Sequence, residues 1–177
     1  MISQPVAGRG RVSGALLVLL GAWGALIPFV GPYFGYAYAP DRAWAYTSGR
    51  LVLSVLPGAA VFLGGLLVLA SDGAAAIGGF FAAAGGAWFV VGAEVMAVAA
   101  PGGPYGPGSP VVASGPAFAP ATMRVLEHVG FYSGLGVVIV FLGALALGKA
   151  AVARLAGGRY GAPGTTVIEE RQYGQTY

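Results

Sequence analysis

The apolar positions of this chain gather into four long runs, separated by stretches rich in polar or turn-forming residues. The first covers about Val12 to Gly31, "VSGALLVLLGAWGALIPFVG", and the second Leu51 to Ala70, "LVLSVLPGAAVFLGGLLVLA". The third covers Ala74 to Ala99 and the fourth Val125 to Gly148, "VLEHVGFYSGLGVVIVFLGALALG". Each has the roughly 20 residues a helix needs to cross about 30 Å of hydrocarbon. Spanning strands would be only about ten residues long and would alternate in polarity. The pattern predicts an all-α fold, a four-helix transmembrane bundle.

The connections predict the rest of the organisation. "SDG", Ser71 to Gly73, reads as a tight turn between the second and third helices. The first and second helices are joined by "PYFGYAYAPDRAWAYTSGR", the third and fourth by "PGGPYGPGSPVVASGPAFAPATM". The Pro and Gly of the latter deny it a regular element of its own. Residues 1–11 form a cytoplasmic N-terminal segment, residues 12–149 the transmembrane domain and residues 150–177 a flexible cytoplasmic tail. The tail, poor in apolar residues, includes "TTVIEERQY", a candidate docking motif.

Two segments resemble later ones. "GAW" occurs at Gly21 and again at Gly86, and "VFLGGLLVLA" at Val61 is echoed by "VFLGALALGK" at Val140. The offsets, 65 and 79 residues, fit two repeated helical hairpins with a longer second loop. Chance matching of apolar low-complexity sequence is the competing explanation.

Composition agrees with lipid as the natural solvent. Of 177 residues, 57% are hydrophobic and only 8% charged, whereas soluble domains carry about 25% charged residues. The 32 glycines show no collagen period; in lipid, small residues let helix backbones approach closely. The absence of cysteine excludes disulfides and thiolate metal sites.

Charge sets the expected orientation. Arg9, Arg11, Lys149, Arg154, Arg159 and Arg171 lie on one side of the spans, and Arg42, Arg50 and Arg124 on the other, six against three. That asymmetry predicts both termini in the cytoplasm. A signal peptide is the rival for the first run, with "RGR" before it and "AYA" at Ala37 to Ala39. Pro40 follows directly, and the run exceeds the usual h-region of about 7–15 residues, so a retained helix is expected.

One carboxylate interrupts the third run. On a helical projection Ala76, Ala83, Ala87 and Val90 share the face of Glu94, while Gly78, Gly85 and Gly92 recur on the opposite face. Ile77, Phe81, Trp88 and Val95 form a bulky third stripe, expected to meet lipid. The third helix should therefore have a neighbour on each small-residue face, with Glu94 in a seam. Arg50, Glu127 and His128 enter the bundle at the same level, so Arg50 or His128 is the expected partner of Glu94. Two readings compete. Either the pair satisfies a charge and ties the helices, or Glu94 and His128 form a proton-titrating or cation-binding site.

The first loop offers a second candidate region in Tyr36, Tyr38, Trp44 and Tyr46. Clustered aromatics form an interfacial belt at this level, or a recognition surface for an envelope partner. Pro28 and Pro57 can kink their helices and flare them outward, or sit in them without consequence. Ser54 and Ser133 read as packing residues rather than nucleophiles. No nucleophile elbow, paired-histidine zinc motif or phosphate-cradling loop is present. One histidine without cysteine is too little for a metal centre. No catalytic, metal or cofactor site is expected, and no nucleic-acid binding.

The stretch "GAWGALIPFVGPYFGYAY…W…T.GRLVLSVLPGAA", roughly Gly21 to Ala70, resembles small four-helix membrane proteins of high-GC Gram-positive bacteria. The resemblance implies that topology in a bacterial plasma membrane and carries no active-site residue. The expected function is that of an integral scaffold or interaction subunit of the cell envelope. Its partners would be the lipid bilayer, other membrane or envelope proteins, and further copies of itself. The alternative is a small transporter or channel with its polar site around Glu94.

Overall fold

The computed structural model describes residues 8–34, 44, 46–99 and 133–160. They build four helices: α1 (Gly8–Val30), α2 (Ser48–Ala70), α3 (Asp72–Ala99) and α4 (Gly134–Tyr160). A 3-10 turn, Gly31–Phe34, ends α1, and no strand occurs among the described residues. All four helices are long and apolar enough to cross a membrane, so the expected fold class is the observed one. α4 continues to Tyr160, which makes the first part of the expected tail, residues 150–160, helical.

Side-chain caps explain where two helices start. Thr47 is extended (φ −128°, ψ 151°), and its hydroxyl accepts from the Arg50 N–H at 3.2 Å, opening α2. Ser71 is also extended; its Oγ accepts from the Ala74 N–H at 3.2 Å, and its carbonyl from the Ala75 N–H at 3.0 Å. Asp72 then places a negative charge in the first turn of α3, where the helix dipole favours it. The expected three-residue turn is therefore a single extended residue between two helices. Below, the turn end is the end of the bundle at Ser71, and the loop end is the opposite one.

Each helix packs antiparallel against the next in sequence, and α4 meets α1 more sparsely. Glycines seven residues apart line all three sequential interfaces. Gly14 and Gly21 of α1 face Gly65 and Gly58 of α2; a Cβ at Gly58 would stand 2.6 Å from the Ala25 nitrogen. On α3, Gly78 and Gly85 approach α2, where a Cβ at Gly85 would stand 2.7 Å from the Pro57 carbonyl oxygen. Gly79 and Gly86 approach α4, and a Cβ at Gly86 would stand 2.9 Å from the Gly136 carbonyl oxygen. Without a hydrophobic drive between helices in lipid, such backbone proximity supplies the van der Waals contact that holds them. The spacing serves α2–α3 as well as the two hairpins suspected of repetition, so close packing alone accounts for it.

The centre is filled by Leu17 and Ile27 of α1, Val61 of α2, Ala82 and Phe89 of α3, and Leu135 and Ile139 of α4. The outside is apolar too, with Leu19, Leu63, Phe80 and Phe141 all more than half exposed. That inside-and-out apolarity suits a surface facing lipid. Pro28 and Pro57 are both fully buried, so their rings are part of the packing.

Candidate functional site

At the loop end a linked set of polar groups begins with Pro57. A proline inside a helix lacks the N–H owed to an earlier carbonyl. Ahead of it, Leu51–Val55 widens into a π-helical segment in which the Leu56 N–H bonds the Leu51 carbonyl, five residues back. The carbonyl of Val52 thereby loses both backbone donors it could use: Leu56 is engaged and Pro57 has none. The indole of Trp88 takes their place, its Nε1–H donating to the Val52 carbonyl at 3.0 Å. Trp88 was expected in the bulky stripe facing lipid. Ile77, Phe81 and Val95 of that stripe are exposed, but Trp88 is half-buried and serves as a polar clasp between α2 and α3. The sequence signal was the proline, which needed an amphipathic ring opposite.

Arg50 lies immediately before the widened segment and is only 5% exposed. Gly49 and Ser54 are buried beside it in the chain.

Glu94 stands elsewhere. The face of α3 opposite it, at Gly78 and Gly85, packs on α2, the helix that carries Arg50. Its own face begins as the expected seam, since Ala83 lies beside Gly143 and Val90 beside Gly136 of α4. Alongside that seam runs an apolar groove of about 280 Å3, lined by Ala87, Val90, Val91, Val137 and Val140. Glu94, one turn further out, is exposed, and no ion pair joins it to Arg50. Glu94 thus lies on the side of α3 away from α2, the helix that carries Arg50. His128 and Glu127 lie outside the described residues.

The aromatic loop is partly visible. Phe29, buried near the end of α1, carries Trp44 stacked at 5.8 Å and Tyr46 tilted at 5.2 Å between ring centroids. Trp44 adopts a left-handed backbone conformation (φ 59°), uncommon for a residue with a bulky side chain. Both rings stay open outward, Trp44 at 52% and Tyr46 at 81% exposure. Tyr36 and Tyr38 lie outside the described residues. Among the described residues no three His, Cys, Asp or Glu side chains come together as a metal site would require.

Fold and surface together define a polytopic membrane protein: four apolar, glycine-packed helices around an apolar centre. Comparison with family models, with curated proteins and with solved structures finds no match to this chain.

Proposed function

We propose that this protein is an integral membrane scaffold or interaction subunit of the bacterial cell envelope. On this reading it works by association rather than catalysis, in the plasma membrane, with both termini cytoplasmic. The observation that carries the proposal is the filled centre. Leucine, isoleucine, valine, alanine and phenylalanine side chains from all four helices meet there as one cluster. A conducting protein lines its path with carbonyls, charged rings or water-filled space. The first-loop aromatics add a surface suited to a partner, because Trp44 and Tyr46 are held against Phe29 with their outer faces free. The alternative is a small transporter or channel with its polar site around Glu94; the apolar cluster at the centre favours association over it.

The test is a photo-reactive amino acid placed at Tyr46 in the full chain, in its native membrane. Association predicts a discrete protein adduct, either a second copy or a distinct envelope protein, that is absent when the probe sits at Phe80 on the lipid face. Adducts to lipid alone at both positions would remove the proposal.

A further inference from the structure

The exposed carboxylate at the head of the α3–α4 groove has a chemistry of its own. α3 has 28 residues, so it is about 42 Å long, matching the roughly 40–45 Å of a bilayer with its headgroups. Glu94 lies roughly 8 Å from the Ala99 end of that rod. It therefore sits where hydrocarbon gives way to headgroups. Below it, on the same face, the groove descends past Val90 and Val91 to Ala87, with Val137 and Val140 as the opposite wall. From Glu94 to Ala87 the drop is about 10 Å.

We infer that this groove with Glu94 at its head is a binding site for a phospholipid bearing a primary-amine headgroup, such as phosphatidylethanolamine. The ammonium donates charge-assisted hydrogen bonds to the Glu94 carboxylate, while one acyl chain lies between the valines. Charge complementarity selects this occupant. An anionic headgroup would be repelled, and a quaternary amine has no N–H to donate. A second copy fits poorly: a two-fold axis along the membrane normal would bring two Glu94 carboxylates together at one depth.

The inference is tested on the full-length protein in mild detergent by native mass spectrometry. The probes are phosphatidylethanolamine, phosphatidylcholine and phosphatidylglycerol of identical acyl chains. The wild type should retain the ethanolamine lipid about fivefold over either competitor, the size expected of one charge pair at a membrane surface. Glu94→Gln should abolish that preference and Glu94→Asp should keep it. Ala87→Phe, which fills the groove from an exposed position, should lower retention of all three lipids. Glu94 is exposed, so its replacement leaves the helix packing intact and the comparison valid. Equal retention of the three lipids by the wild type would overturn the inference, as would a preference that survives Glu94→Gln. So would a photo-crosslink from position 94 to a second copy, or to the chain's own Arg124 or His128.

Discussion

Replacing Trp88 by Phe keeps an aromatic ring between α2 and α3 but removes the indole donor at the Val52 carbonyl. The loss has two parts. Interhelical hydrogen bonds inside membrane proteins are worth about 0.6 kcal/mol on average and up to about 1.7. A carbonyl left dry and unpaired costs about 1–3 kcal/mol. Val52 is half-buried and close to the loop end, where water can reach it, so the smaller range governs. We expect Trp88→Phe to destabilise the bundle by about 0.6–1.7 kcal/mol. The proline provides the control. In a Pro57→Ala background residue 57 regains its N–H, and Val52 can be satisfied whether the segment stays wide or returns to α-helical pairing. The cost of Trp88→Phe should then shrink by about 1 kcal/mol, as measured by a double-mutant cycle. Reversible unfolding in mixed micelles, followed by far-UV circular dichroism, reads all four proteins. An identical cost in both backgrounds would refute the link from Pro57 through Val52 to Trp88.

Three consecutive positions on α3 test the packing. Ala84 is exposed, Gly85 faces α2 and Gly86 faces α4, so Gly85→Leu and Gly86→Leu should each cost at least about 1–3 kcal/mol, and Ala84→Leu within about 0.5; equal costs in the same unfolding assay would mean the lipid face is misassigned. The absence of native cysteine allows single-cysteine labelling. Gly73→Cys, at an exposed position where a side chain would meet only the Ser71 hydroxyl at 3.9 Å, should react only with reagent admitted to the cytoplasmic side and Tyr46→Cys only from outside; the reverse pattern would invert the proposed orientation.

The four spans were legible because length and apolarity suffice for them. The central place of α3 was legible in the spacing of Gly78, Gly85 and Gly92, and the first two of these do approach α2. Projection onto a helix gave the face of Glu94 correctly, with Ala83 and Val90 beside it. It could not show that Glu94 itself, one turn beyond Val90, is exposed. Nor could it show that Pro57 would widen the turn before it, because the response of a helix to proline depends on which neighbour can rescue the stranded carbonyl. Trp88 was assigned by its bulk, and its N–H was overlooked. The capping role of Ser71 was available in the sequence as a hydroxyl immediately before an acidic first turn.

The claim at the centre of this account is that the bundle is closed and acts by association. The most direct measurement is solute and ion flux into liposomes holding the purified full-length chain, loaded with pH- and cation-sensitive dyes, with and without an imposed potential. A centre filled by Leu17, Ile27, Val61, Ala82, Phe89, Leu135 and Ile139 predicts rates equal to those of protein-free liposomes, unchanged by Glu94→Gln. A proton or cation flux that rises with protein density and disappears in Glu94→Gln would contradict the account and establish the transporter in its place.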